Sequence, residues 1–215
     1  MKRKLAFLSF AACILLAALV GCQAAATNDN PVQQSAYKKI QKALVNLDTY
    51  QSNATVEYIS NKGSNTYGTL QQCKSSGEYR IEVTAPTNVA GNVTLFDGKM
   101  IYQYNPKIAG KLSMATKETP ERSEIFLNSF VKNYLNSQNV SVSVANMEEG
   151  QCTVLEANIP GAHPYMRTEK LWVDNDTQLP VKLVIYDPDG TERIIVTYQD
   201  FEYNIPLEDS LFQLQ

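Results

Sequence analysis

Cys22 has the clearest chemical signature in the chain. Leu19, Val20 and Gly21 precede it, so an apolar residue, a short gap and a small residue stand directly before a thiol. This is the pattern of a bacterial lipobox, in which the cysteine takes a diacylglyceryl group and becomes the first residue of the mature chain. The residues ahead of it agree. Lys2, Arg3 and Lys4 form a basic start, and Leu5 to Val20 is an almost unbroken apolar run. Charged-then-apolar with a small residue at the cut describes a secretory signal. The run is shorter than the ~20 residues a spanning helix needs. The expectation is a signal peptide over residues 1–21, acyl chains of the palmitate kind on Cys22, and a domain held outside the cytoplasm at the cell membrane.

The other reactive residue types form no constellation. Of the four cysteines, Cys13 leaves with the signal, and Cys73 and Cys152 remain. An oxidising compartment permits a disulfide between them. Both sit inside strand-like runs, so two small buried residues is the other reading, and a pair of cysteines alone does not establish the spacing a disulfide needs. His163 is the single histidine, and no Cys-x-x-Cys or His-x-x-x-His occurs, so no metal site is expected. Glu148-Glu149 and the Asp187, Asp189 pair sit in turn-like stretches and read as solvated charges. Acid–base work needs a cleft and shifted pKa values. No glycine-rich phosphate loop is present, and no cofactor is expected. The chain reads as a binding protein, not an enzyme. Tyr102, Tyr104, Trp172 and Tyr186 are candidates to line an apolar pocket, although strand aromatics equally pack cores.

Charge narrows the partners. The chain carries 19 basic and 22 acidic residues. Loss of the three basic leader residues takes its formal net charge from −3 to −6. With no basic block, nucleic acid is excluded as a natural partner. Attraction to anionic lipid is weak too, which leaves the acyl chains as the anchor.

The elements that would carry these residues follow from periodicity. After Cys22, residues 23–30 are Gln, Ala, Thr, Asn and Asp without apolar period, so residues 22–30 read as a flexible tether. Pro31 to Tyr50 predicts an amphipathic helix, with Tyr37, Ile40, Leu44 and Leu47 on one face. From Tyr50 the period becomes two, with strands expected to Ser60, over Thr66–Lys74, Glu78–Thr84, Val93–Phe96 and Lys99–Tyr104. Asp97-Gly98 predicts a two-residue hairpin turn with both positions at positive φ. Glu121 to Ser137 predicts a second, very apolar helix, opened by Thr119-Pro120. Strands then follow over Val140–Val144, Cys152–Ile159, Glu169–Asp174, Val181–Asp187 and Arg193–Tyr203. Pro160 to Pro164 reads as a proline-bounded surface loop holding His163. The expected fold class is α+β. Residues 31–215 would form one domain, a large curved antiparallel sheet (an incomplete β-barrel) with helices packed over its concave face.

An ordered set of short motifs resembles a known superfamily. Phe96-Asp97-Gly98-Lys99-Met100-Ile101-Tyr102-Gln103-Tyr104-Asn105-Pro106 is similar to its Asp-Gly-Lys, aromatic, Tyr-x-Pro signature. Leu171-Trp172-Val173-Asp174, Leu179-Pro180-Val181-Lys182, Asp189-Gly190, Tyr198-Gln199-Asp200-Phe201 and Leu207-Glu208-Asp209-Ser210-Leu211-Phe212 follow in the same order. The superfamily is that of the lipoprotein carriers, LolA, LolB, RseB and relatives. Within it, the chain is most similar to the clostridial germination lipoproteins. The resemblance implies a LolA/LolB-like domain made during sporulation. It would bind an extracytoplasmic zinc-dependent N-acetylmuramoyl-L-alanine amidase and license formation of muramic-δ-lactam in spore-cortex peptidoglycan, as germination requires. The alternative is a lipid or lipoprotein carrier that holds acyl chains in an apolar pocket. A homodimer is left open.

Overall fold

The computed structural model describes residues 31–108, 111–115, 123–148 and 150–213. The expected signal, Cys22 and tether all lie outside these residues, as does Glu149. The first described element is α1, Pro31–Val45. Ala36, Ile40 and Leu44 point inward from it and are buried. The helix ends five residues before the sequence expectation. The Asn46 side chain caps it on the Lys42 carbonyl at 2.7 Å. The next N–H groups, of Asp48 and Thr49, go to the side chain of Asn204 at 2.7 and 3.3 Å. Those donors are therefore taken by the far end of the chain, and Tyr50 is released into a strand.

Among the described residues, eleven strands make one antiparallel sheet. They are β1 (Thr49–Ser60), β2 (Gly63–Lys74), β3 (Tyr79–Ala85), β4 (Val93–Phe96), β5 (Met100–Tyr104) and β6 (Lys111–Ala115) in the first half. The second half holds β7 (Val140–Met147), β8 (Gly150–His163), β9 (Met166–Asp174), β10 (Pro180–Tyr186) and β11 (Glu192–Tyr203). The spatial order is β6-β5-β4-β3-β2-β1-β11-β10-β9-β8-β7. Each half is an up-and-down meander, and the two join where β1 pairs with β11. The sheet is curved and does not close on itself. The α+β expectation holds.

Between the halves, Ser123–Ile125 makes a single 3₁₀ turn and α2 runs from Leu127 to Asn136. Phe126 between them is extended, at φ −100° and ψ 139°, so the expected continuous helix is broken there. Its expected capping residues, Thr119 to Glu121, lie outside the described residues. Leu127, Phe130 and Tyr134 of α2 face the sheet. With Ile40 and Leu44 of α1 they cover one face. The core cluster beneath includes Tyr50, Val56, Cys73, Tyr79, Leu155, Leu171, Leu183 and Val196. Fully burying each large apolar side chain contributes about 1.5–3 kcal/mol before entropy is counted. The residues between these in each strand point to the opposite, outer face.

Three local expectations change. At Asp97-Gly98 only Gly98 has positive φ, at 89°. Asp97 instead folds the turn with its carboxylate, which accepts the N–H groups of Lys99 and Met100 at 2.9 and 2.7 Å. That is an Asx turn in place of the expected two-residue hairpin turn. Pro160 to His163 is not a loop, because β8 runs through to His163 and β9 begins at Met166. The β8–β9 register slips between Asn158 and His163. Such an irregularity is where a strand tolerates a proline that has no N–H to give. Finally, no disulfide joins Cys73 and Cys152, and both are buried. Cys73 belongs to the helix-covered core. Cys152 alternates with Thr153 and Leu155 and points to the outer face. β1, β11, β10 and β9 stand between their strands.

Candidate functional site

The four aromatics expected to line a pocket do not line one together. Tyr102 lies opposite Leu95, which lies opposite Arg80, and Tyr104 lies opposite Val93. Trp172 lies opposite Lys182, and Tyr186 opposite Thr168. All of these occupy the outer face, while Ile101, Leu171, Val173 and Ile185 take the inward positions. The two pairs are also far apart, since β4, β3, β2, β1 and β11 separate β5 from β10. The expectation failed on strand parity: a strand with apolar residues on both faces does not announce which face is covered.

What the outer aromatics do is local. The Lys182 ammonium lies 4.3 Å from the centre of the Trp172 ring, and that of Lys170 lies 5.5 Å from the Tyr186 ring. Lys170 also pairs with Glu156 at 3.4 Å. Beneath this roof Val154 and Val184 are 6% and 0% exposed, although no helix covers them. Long lysine stems lie along apolar surface and keep their charge in water. At the other end Tyr102 donates to Asp97 at 3.3 Å, and Tyr104 is exposed.

The helix-covered face is filled by side chains. Tyr50, Leu127, Phe130, Leu155, Leu171 and Leu183 are each 0–1% exposed. Ring contacts run through it. Tyr50 stacks on Phe201 at 5.1 Å, and Tyr79 meets Phe126 at 4.5 Å. Polar links tie the cover to the sheet. The Tyr50 hydroxyl donates to Gln71 at 3.1 Å and accepts the Leu127 N–H at 3.2 Å, which secures the start of α2. The Tyr37 and Tyr134 hydroxyls bond at 3.1 Å, joining α1 to α2. Asn133 of α2 donates to Glu169 of β9 at 2.8 Å. Three buried polar atoms there find no partner: Gln71 Nε2, Glu169 Oε2 and the Tyr198 hydroxyl.

Glu169 is 0% exposed. Burial, against the Asn133 hydrogen bond and with a small push from the Glu124 charge, raises its carboxyl to about 7. Burial also raises the Cys73 thiol far above its ordinary range, so it is held as an inert thiol. Sequence reasoning missed Glu169 as a special residue. It lies among polar neighbours, and only the register of β9 shows that it points under α2.

The remaining candidates have structural work. Asp187 is nearly buried and accepts the N–H groups of Asp189 and Thr191, each at 2.9 Å. Arg193 grips its other oxygen through Nε at 2.7 Å and through a second nitrogen at 2.6 Å. Burial opposes its charge, but the backbone donors and the guanidinium hold the carboxyl below its usual range. This acid pair builds a turn. Glu148 is exposed. His163 is exposed too, and its Nδ1 accepts the Tyr165 N–H at 3.1 Å. Tyr165, at the tip of the β8–β9 hairpin, is 57% exposed with Arg193 5.7 Å from its ring. No group of three metal-ligating side chains occurs among the described residues. An open cleft of about 340 Å³ sits at the opposite end of the sheet, lined by Asp48, Thr49, Lys74, Asn204, Ile205, Pro206 and Leu207. Its lining is more than half polar, unlike an acyl-chain site.

Comparison with known proteins gives these features a setting. Residues 2–212 match the family described as "Sporulation protein YdcC-like". A search of curated proteins finds no match. Among solved structures, the chain is 30% identical to a chain in the structure of the CwlD amidase from Clostridioides difficile in complex with the GerS lipoprotein. The match is to GerS, covers 80% of this chain and 96% of that one, and has a TM-score of 0.50. An uncharacterised conserved protein from Thermus thermophilus shares the fold at 13% identity, with 85% and 94% covered and a TM-score of 0.52. A LolA superfamily protein from Nitrosomonas europaea is 16% identical over 84% and 97%, with a TM-score of 0.44.

Proposed function

The chain belongs to the sporulation protein YdcC-like family, and from that premise we propose that it is a binding partner and activator of a cell-wall amidase. The partner is an extracytoplasmic, zinc-dependent N-acetylmuramoyl-L-alanine amidase of the CwlD type, acting in cortex modification that spores need to germinate. The observation that carries this reading is the 30% identity, across nearly all of that chain, with a lipoprotein solved in complex with such an amidase. Lipid on Cys22 would hold the domain at the forespore or spore membrane, outside the cytoplasm.

The physics of the domain suits the role. An activator needs no catalytic group of its own; it must bind the active conformation of its enzyme more tightly than the inactive one. The packed inner face supports this reading over the carrier reading, because acyl chains would have to displace Tyr50, Phe130 and Leu171 from the core. Exposed Tyr165 with Arg193 behind it offers the residue types that dominate protein interfaces.

The test is native mass spectrometry of the chain carrying Cys22→Ser, isolated from its sporulating host, followed by amidase assays with and without it. A stoichiometric complex and a rise in amidase turnover are expected. A monomer carrying the mass of one lipid, with no effect on the amidase, would overturn the reading in favour of a carrier.

A further inference from the structure

Charge is unevenly divided between the two layers of this domain. Helix α1 carries Lys38, Lys39 and Lys42, α2 carries Lys132, and neither helix holds an acid. All four lysines are exposed. After loss of the leader the chain has 16 basic and 22 acidic residues, of which the helices hold four and none. The helices therefore carry +4 and the rest of the mature chain −10. Geometry aims that positive charge away from the sheet. At about 100° per residue, Lys38 and Lys42 project within about 20° of the direction opposite buried Ile40, and Lys132 does the same opposite Phe130. The Tyr37–Tyr134 hydroxyl bond sets the helices side by side, so their outward faces form one surface. The outer face of the sheet mixes its signs, with Glu57, Glu82, Glu156 and Glu202 among Arg80, Lys170 and Lys182.

The same surface also presents apolar side chains. Val45 of α1 is 60% exposed and Leu135 of α2 is 54% exposed. Each follows a buried residue by five, which turns it well away from the core. A cationic helix face with isolated apolar side chains is the arrangement of a helix that lies on anionic lipid. Chain length brings the lipid to it. Only eight residues stand between Cys22 and Pro31, so α1 begins no more than ~30 Å from the acylated cysteine. Lys38 follows about 10 Å further along the helix. A net charge of −6 argues against attraction to anionic lipid. The field of a membrane surface, however, fades over ~8 Å at physiological salt, so it acts on the charges nearest to it and not on the total.

We propose that the helix layer is a membrane-docking surface, and that the domain lies on anionic lipid with α1 and α2 facing the bilayer. Lys38, Lys39, Lys42 and Lys132 meet lipid phosphates, Val45 and Leu135 enter the headgroup layer, and the outer face of the sheet points away from the membrane. The acyl chains hold the domain at the membrane, and the helix face fixes which way up it stands. An acidic protein could also satisfy the lysines, but the short tether keeps lipid within reach at all times and at a high effective concentration. This docking takes the Cys22 anchor from the reading above and does not depend on the amidase.

The test uses the full chain purified from its host membrane and reconstituted into vesicles of phosphatidylcholine and phosphatidylglycerol, mixed about three to one. Leu135→Cys and, on the outer face, Thr197→Cys each take one fluorescent label, because Cys73 and Cys152 are buried. Flotation of the vesicles reads the anchor. Quenching of the label by lipids brominated near the headgroup reads which face meets the bilayer. Quenching at Leu135 should exceed that at Thr197 by about ten-fold. It should fall to the Thr197 level in vesicles of phosphatidylcholine alone, and in about 1 M salt, where the screening length is ~3 Å. Lys38→Glu with Lys132→Glu brings the helices to zero charge and should have the same effect, while the chain still floats. Both lysines are exposed, and circular dichroism verifies that the variant is folded. A chain that floats with both labels equally in water overturns the docking alone. So does quenching at Leu135 that ignores salt, lipid charge and the two reversals. A chain that does not float overturns the anchor and the docking together.

Discussion

Glu169 gives the domain a definite dependence of stability on pH. Its carboxyl is buried, holds one hydrogen bond from Asn133, and titrates near 7 in the fold against 4.5 for an ordinary glutamate. A carboxyl whose folded value is raised binds its proton more tightly folded than unfolded. The stabilisation is thus complete below about pH 4.5, declines as pH rises toward 7, and is gone above it. Each pKa unit is worth about 1.4 kcal/mol, so the full swing is about 3 kcal/mol. Glu169→Gln keeps the acceptor for Asn133 and removes the ionisation. Urea unfolding followed by the fluorescence of Trp172, the single tryptophan, measures both proteins from pH 4.5 to 8. Near pH 4.5 the two should have equal stability, and near pH 8 the variant should be more stable by about 3 kcal/mol. Subtracting one curve from the other removes every other titrating group. A difference that is flat across the range, or that favours the wild type as pH rises, would refute the argument that Glu169 stays buried beneath α2.

Other substitutions test the joints of the fold. Asn204 sits at φ +54° and its side chain bonds the backbone of Asn46, Asp48 and Thr49; Asn204→Ala should cost about 2 kcal/mol in the same urea assay. Tyr50→Phe strips the hydroxyl from both Gln71 and the buried Leu127 N–H. It should cost about 1–3 kcal/mol and speed amide exchange at Leu127, with little change at β7. With no disulfide and both thiols buried, Cys73 and Cys152 should be silent to a thiol reagent in the native protein. They should react fully in urea without any reductant. A pair that stays unreactive in urea would mean that they are bonded after all.

How much of this could be read from the sequence depended on the interaction in question. Strands whose two faces differ were plain: β3 alternates Tyr79 and Ile81 with Arg80 and Glu82, and Tyr79 and Ile81 are the ones that join the core cluster. Helix α1 was recognisable from Ile40 and Leu44. Its end was not, because what stops it is Asn204, over 150 residues away. The same holds for α2, whose first N–H is met by Tyr50 where a neighbouring cap was expected. Proline at 160 argued for a loop, but the register slip on β8 absorbs it. β6 carries too short a pattern to stand out. Trp172 was noticed for its chemistry and placed on the wrong face, since Val154 and Val184 make the outer side of its sheet nearly as apolar as the inner one. Glu169 was not legible, because burial there is a property of β9 meeting α2. The family itself was recognisable from the ordered motifs between Phe96 and Phe212, and the match over residues 2–212 bears that out.

The seam between β1 and β11 has a consequence for how the molecule is made. Synthesis delivers the N-terminal meander first. Each of its strands except the first finds its neighbour within a short stretch of chain. β1 pairs with β2 on one side, but its other side stays open until β11 arrives, with Tyr58 meeting Ile194 and Tyr50 meeting Tyr203. These contacts span well over 130 residues, and closing so large a loop is slow compared with forming a hairpin. The middle of the finished sheet is therefore its youngest part. Until the last strand emerges the nascent chain exposes its future centre as a raw edge, and chaperones are most needed during that interval.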